Sequence, residues 1–131
     1  MAGLVLDSKG TIKMEVLNKA MTDLHRLNAL AEQLSSNSKK GTPSGTLIQT
    51  IKRYLQTMAA QLKTHFGMIS DTATNLMINS TRGSSDQARA RVLKEGIASL
   101  KQAIEIGITQ TIAKHEVHRE KPAAAASQEE S

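Results

Sequence analysis

Apolar side chains recur at helical spacing in three segments of the chain. In the first segment they form one stripe when successive residues are placed 100° apart, as on an amphipathic helix. The stripe consists of Leu17, Ala20, Leu24, Leu27, Ala31 and Leu34. The pattern therefore predicts a first helix over about residues 11–36.

Residues 1–10 are compatible with two structures. Residues 4–6 and 11–16 are apolar enough to pair as a hairpin across Ser8, Lys9 and Gly10. The alternative is an early start of the first helix, capped by Asp7 or Ser8. A lone hairpin is marginally stable in water, which favours the second structure.

The second segment shows an apolar residue at every seventh position, the spacing of a coiled-coil seam. The repeat is Ile48, Leu55, Leu62, Ile69 and Leu76, interleaved with Ile51, Met58, Phe66 and Ala73. We predict one helix over about residues 45–79, roughly 50 Å long at 1.5 Å per residue. Gly67 lies inside it and marks a bend or a close helix contact.

The third segment begins after Ser84, Ser85 and Asp86, which are residues that cap helices. It predicts a helix over about residues 85–117. Its apolar stripe is Ala90, Leu93, Ile97, Leu100, Ile104, Ile108 and Ile112. Residues 119–131 contain charged residues, alanines and no large apolar side chain, and we expect a disordered polar tail.

Turn-forming residues separate the three segments at positions 35–45 and 79–85. Short connections make neighbouring helices antiparallel, so we predict an all-α bundle of three long helices in one domain over residues 1–118. The two aromatic residues Tyr54 and Phe66 leave an aliphatic core. Because the second helix is longer than the first, part of its stripe stays uncovered, and oligomerisation would complete a larger bundle.

A second set of apolar positions lies off the main stripes. Val92 and Ile106 belong to a line on the back of the third helix, with Val117 beside it, and Leu47, Tyr54 and Met68 continue the apolar surface along a flank of the second. A second apolar line usually marks a further contact, although single aliphatic side chains are common on surfaces. We predict that Leu47, Tyr54, Met68, Val92, Ile106 and Val117 bind partner helices.

Positive charge is concentrated in the middle of the chain, although the net charge is only +5. Between residues 39 and 94 there are nine Lys and Arg residues against Asp71 and Asp86. Binding of a nucleic acid or another polyanion is therefore the alternative function, with ordinary solvated lysines as the simpler explanation. The basic residues are Lys39, Lys40, Lys52, Arg53, Lys63, Arg82, Arg89, Arg91 and Lys94.

Candidate catalytic groups reduce to histidines, because no known catalytic or nucleotide-binding motif occurs and cysteine is absent. His65 allows a remote hypothesis of a histidine phosphotransfer domain, which is also a helical bundle. Those domains have Lys, Gly and small polar residues after the histidine, whereas Phe66 follows here. His115 and His118 are three residues apart and would make a weak metal site without a third ligand. His25 has charged neighbours and is expected to be solvated.

The sequence therefore predicts a non-enzymatic interaction or assembly subunit that uses neither metal nor cofactor. Its partners would be proteins, either further copies of the chain or the other members of a complex. No apolar run approaches the ~20 residues that span a bilayer, and no signal peptide is recognisable. We expect a cytoplasmic protein, with the nucleus as the alternative location.

Overall fold

A computed structural model describes residues 5–83 and 85–117 of the chain. It contains four helices: α1 (Ser8–Lys40), α2 (Gly45–Leu62), α3 (Gly67–Thr81) and α4 (Asp86–His115). The predicted all-α class is confirmed. The predicted number of helices is wrong, because the single helix expected over residues 45–79 is two helices. The tail predicted for residues 119–131 lies outside the described residues.

The chain reverses direction between α2 and α3, at residues 63–66. The backbone of Phe66 leaves the helical region, with φ −138° and ψ 64°, after its N–H has bonded to the carbonyl of Leu62 at 2.7 Å. The hydroxyl of Ser70 then donates to the carbonyl oxygen of Ala59, also at 2.7 Å. Ala59, Ser70 and Ala73 are small and buried, so the two helices can approach closely on either side of the turn.

Each helix packs against two others, in the cyclic order α1, α2, α3, α4. α4 runs antiparallel to α1, since Gly10 lies against His115 and Glu32 pairs with Lys94. It is also antiparallel to α3, because the Leu76 side chain lies against Gly96 and Ile69 reaches Gly107. α2 turns back along α1 after a four-residue loop, in which Gly41 takes a left-handed conformation with φ 71°. The result is a four-helix bundle with alternating directions.

The core is aliphatic, as the composition predicts. Every residue of the first predicted stripe is buried, together with Leu55, Met58 and Leu62 of α2 and Leu76 of α3. At the end of α4 the buried residues are Gly107, Thr111 and His115, whereas Ile108 and Ile112 of the predicted stripe are half-buried. The buried face of α4 is different at this end because α1 is the helix that packs against it there.

α1 and α4 are 33 and 30 residues long, against 18 and 15 residues for α2 and α3. Leu17 and Ile69 both reach Gly107, so the turn between α2 and α3 is level with Leu17. Residues 8–16 and 108–115 therefore extend beyond the α2–α3 hairpin as a two-helix extension. Leu6 and Glu116 close this extension with an isolated antiparallel bridge.

The alternative structures of the N-terminal residues are resolved in favour of the helix. Asp7 caps α1, and its carboxylate accepts a hydrogen bond from the N–H of Gly10 at 2.7 Å. Residues 11–16 are helical and form no hairpin. Ser85 caps α4 through a hydrogen bond from the N–H of Ala88. Nowhere in the described part of the chain is a helix long and apolar enough to cross a bilayer.

The contact between α3 and α4 provides a test of this packing. A methyl group added at Gly96 would collide with the buried side chain of Leu76. Overpacking costs about 1–3 kcal/mol, and the higher helix propensity of alanine returns at most about 1 kcal/mol. We expect Gly96→Ala to lower the free energy of unfolding, measured by urea titration with circular dichroism.

Gly67→Ala is the matched control, because nothing lies within 4 Å of a Cβ at that position. It should leave stability unchanged or raise it by about 0.4–1 kcal/mol. If Gly96→Ala proves as stable as Gly67→Ala, α3 and α4 are not in the close contact described.

Candidate functional site

The six predicted partner-binding residues are divided between two environments. Leu47, Tyr54 and Val92 are half-buried and pack against the core. Met68, Ile106 and Val117 are exposed, with 86%, 50% and 45% of their surface accessible. Leu47 and Tyr54 do not share a flank with Met68, because the reversal at residues 63–66 puts them on a different helix from Met68.

Helical spacing places Met68 of α3 and Ile106 of α4 at the margins of the groove between these helices. The depression beside Ile106 is lined by residues of α4, among them Gln102, Glu105 and Gln110. The register set by Ile69 and Gly107 places Met68 level with Ile106. Helical spacing puts Thr72, Asn75 and Asn79 on the same line of α3 as Met68, because they follow it at intervals of three or four residues. The α3–α4 groove is defined by these four residues and by Val92, Ser99, Ala103, Ile106 and Gln110 of α4.

The α3–α4 groove differs in charge from two other grooves of the bundle. Most of its residues carry amides, hydroxyls and aliphatic groups, and the charged side chains on the same lines are the exposed carboxylates Asp71 and Glu95. The groove between α1 and α2 contains Lys19, Arg26 and Arg53, and the one between α1 and α4 contains Lys94 and Lys101. Covering the aliphatic groups and short polar side chains of this groove costs less than desolvating the cations of the other two.

Two further exposed aliphatic residues were not predicted as contacts. Ile12 lies on the two-helix extension and Ile78 on α3, with 49% and 37% of their surfaces accessible. Ile12 precedes the first stripe by five residues, so its exposure depends on where α2 ends. Gly67, where a bend or a close helix contact was expected, is the first residue of α3 and lies five residues after the end of α2.

The basic residues do not form one line, but several of them meet at one end of the bundle. Lys39 and Lys40 end α1, and Arg82 ends α3, so these exposed residues share that end with Arg91 near the start of α4. Two others are engaged in ion pairs: Arg89 with Asp86 at 2.7 Å and Lys94 with Glu32 at 2.9 Å. Lys52 and Arg53 are exposed on different sides of α2, and Lys63 lies at the opposite end, beside the α2–α3 turn.

The three histidines in the described part of the chain lie at different places in the bundle. His25 and His65 are exposed, and the ring of His65 meets that of Phe66 edge-on, with the ring centroids 6.4 Å apart. His118, the partner in the weak metal site considered from the sequence, lies outside the described residues. Within residues 5–83 and 85–117, no three histidine or carboxylate side chains come together as a metal site.

His115 is the buried histidine, and it connects the two ends of the described chain. Its Nδ1 lies 3.0 Å from the carboxylate of Asp7, and its Nε2 lies 3.2 Å from Nζ of Lys13. The N–H of Asp7 donates to the carbonyl of His115, also at 3.0 Å. A neutral ring that donates from Nδ1 to Asp7 and accepts at Nε2 from Lys13 satisfies all three groups. These hydrogen bonds join the start of α1 to the end of α4, and we call Asp7, Lys13 and His115 the clasp.

The clasp makes stability depend on the ionisation of Asp7. The hydrogen bond from the Gly10 N–H and the one from His115 lower the pKa of Asp7 below its ordinary value of 3.8. A depressed pKa stabilises the fold at pH above that ordinary value, and the stabilisation disappears as pH falls through the folded-state pKa. We expect Asp7→Asn to lower the Tm at pH 6, with the difference from wild type narrowing below pH ~4.

Thermal melts between neutral and acidic pH would measure this difference. Asp71→Asn is the control, since it removes one carboxylate from an exposed position of α3. If Asp7→Asn and wild type have the same Tm at pH 6, or if the difference between their Tm values grows as the pH falls, the role of the clasp is contradicted.

No family model, curated protein or solved structure matches this chain. Any function proposed for it has to follow from its own residues and their arrangement.

Proposed function

We propose that the protein is a non-enzymatic interaction or assembly subunit that binds a helix of a partner protein in the α3–α4 groove. The observation that supports this most directly is the exposure of Met68 and Ile106, two large apolar side chains at the same level of the α3–α4 groove. Met68 has 86% of its surface accessible, although it is a large apolar residue on an ordered helix. Apolar side chains flanked by short polar ones are typical of surfaces that another protein covers.

The chemistry of the groove suits a helical ligand. Full burial of a side chain such as Met68 or Ile106 contributes about 1.5–3 kcal/mol. The hydroxyls and amides of Thr72, Asn75 and Asn79 can make hydrogen bonds at the margin of such a contact without a large desolvation cost. A groove between two antiparallel helices accepts an amphipathic helix through apolar residues at intervals of three and four.

The charges at the two ends of the groove favour a different protein over a second copy. Arg82 is exposed where α3 ends, and Lys114 is exposed on the two-helix extension, eight residues beyond Ile106. A two-fold axis perpendicular to the groove would make the two copies antiparallel and bring Arg82 of one copy towards Lys114 of the other. A two-fold axis parallel to the groove would make the copies parallel and bring each residue towards its own equivalent. Both arrangements juxtapose like charges, which is destabilising. We therefore propose a partner helix with acidic residues towards both ends.

Substitution of Ile106 tests the groove without disturbing the core. We expect Ile106→Glu to weaken partner binding at least about tenfold, because it places a charge in an apolar contact. Ile12→Glu is the matched control, since Ile12 is equally exposed but lies on the two-helix extension. Both variants should keep wild-type helicity by circular dichroism, and light scattering should report the same monomer mass for both.

The partner can be located by a photo-crosslinking residue placed at Ala103. The proposal expects cross-links to one amphipathic helix with acidic ends, lost in Ile106→Glu and retained in Ile12→Glu. Cross-links that persist in Ile106→Glu, or a wild-type dimer that this variant dissociates, would overturn the proposal of a heterologous partner helix.

Polyanion binding is a second candidate function, supported by the charge at one end of the bundle. Segments far apart in sequence, around residues 39–40 and 82–91, contribute basic side chains to the same end. The exposed side chains there are Lys39, Lys40, Arg82 and Arg91. Such a cluster can neutralise several phosphates of a nucleic acid at once, with a binding constant that depends on salt.

Neutralisation of this end tests the second function. We expect the triple variant Lys39→Gln, Lys40→Gln, Arg82→Gln to bind a single-stranded DNA oligonucleotide more weakly than wild type. The slope of log K against log salt should fall by about two, at roughly 0.7 per phosphate contact. Fluorescence anisotropy at several salt concentrations measures both quantities.

The control triple variant is Lys9→Gln, Lys101→Gln, Lys114→Gln, which removes the same charge from the other half of the bundle. Equal losses in the two triple variants would show that the binding reflects net charge alone. No binding by wild type at low salt would remove this candidate.

A further inference from the structure

A depression between α1 and α2 combines charged groups that neither proposed function uses. It has a volume of about 240 Å³. Three cationic side chains line it, together with one carboxylate, an aromatic ring and two threonine hydroxyls. These residues are Lys19, Arg26, Arg53, Asp23, Tyr54, Thr50 and Thr57.

The carboxylate is the unusual member, because it is almost completely removed from water. The Asp23 side chain has 6% of its surface accessible, and its ion pair is with Nζ of Lys19 at 3.5 Å. Charge-assisted hydrogen bonds are shorter, at about 2.7–2.9 Å, and a carboxylate can accept about four of them. Asp23 therefore retains acceptor capacity for a donor that enters the depression.

The cations point to an anionic group on the same ligand. Arg26 and Arg53 come from facing helices, both are exposed, and Lys19 compensates the charge of Asp23. Guanidinium groups recognise phosphates and carboxylates through paired N–H donors. Two of them around one depression leave an excess of positive charge that attracts an anion.

From this arrangement we propose that the depression binds a small phosphate monoester that also carries an ammonium group. The phosphate contacts Arg26 and Arg53, and the ammonium group donates to Asp23. Tyr54 forms an apolar wall between them. The depression is open to solvent, so a small compound such as phosphoethanolamine can enter it.

The probe is O-phosphoethanolamine, followed by isothermal titration calorimetry and by NMR of the backbone amides. We expect it to bind at least about tenfold more tightly than inorganic phosphate, since the bond to Asp23 is an additional charged hydrogen bond. Ethanolamine alone should bind more weakly than either. The amides of Thr50, Tyr54 and Thr57 should shift, because these residues line the depression.

Two variants test the phosphate contact and the ammonium contact separately. Arg53→Gln should weaken the binding of phosphoethanolamine and of phosphate alike, whereas Asp23→Asn should abolish the preference for phosphoethanolamine. Lys101→Gln, at an exposed position of α4, is the control for net charge and should change neither affinity. Because Arg53 is exposed, Arg53→Gln is informative even if Asp23→Asn lowers stability.

A phosphate next to an ammonium group also occurs in a lipid headgroup, where the phosphate is a diester. Co-sedimentation with phosphatidylethanolamine vesicles, lost in Arg53→Gln, would identify the headgroup as the source, and binding of the soluble compound alone would identify a metabolite. Equal affinity for phosphate and phosphoethanolamine, or an unchanged affinity in Arg53→Gln, would overturn the proposal. Neither result depends on the α3–α4 groove.

Discussion

The chain reversal at residues 63–66 determines the arrangement of every surface described above. It is held where the Ser70 hydroxyl bonds to the Ala59 carbonyl at 2.7 Å, between helices whose facing residues are small. Because α3 returns along α2, it lies beside α4 and completes a four-helix bundle within one chain. The α3–α4 groove, the depth of the core and the length of the two-helix extension all follow from this reversal.

The two-helix extension has polar residues in its interior, at the level where α2 and α3 do not cover α1 and α4. Lys13 and His115 occupy positions that continue the apolar stripes of α1 and α4, where the interior of a longer bundle would require aliphatic residues. With α2 and α3 absent at this level, Lys13 reaches the ring of His115, and His115 reaches Asp7. A polar clasp thus replaces hydrophobic packing at the end where the bundle is two helices wide.

The same folding separates three kinds of surface that are mixed in the sequence. Positive charge accumulates at the end formed by the close of α1 and the start of α4. The α3–α4 groove, with exposed Met68 and Ile106, runs along α3 and α4, and the depression around Asp23 lies on the other side, between α1 and α2. Partner binding, polyanion binding and small-anion binding would therefore use different faces, and substitutions such as Ile106→Glu and Arg53→Gln can separate them.

The sequence by itself determined the helical class, most of the core and the limits of α1 and α4 to within a few residues. Leu17, Leu24 and Leu27 repeat at a spacing that only a helix can place on one face, so their burial was predictable. The break inside the second predicted helix was not predictable from that spacing. Ile48, Leu55, Leu62, Ile69 and Leu76 keep their seven-residue interval through the turn, because α2 and α3 direct their apolar faces at the same core.

Tertiary structure decided which of the predicted contact residues remain available. Leu47 and Val92 looked equivalent to Met68 and Ile106 in the sequence, but they are half-buried because neighbouring helices cover them. The depression around Asp23 was also beyond the sequence, since Arg26 and Arg53 are 27 positions apart and meet only when α2 folds back along α1. Periodicity records which face of a helix is apolar, whereas the neighbour of that face depends on where the chain turns.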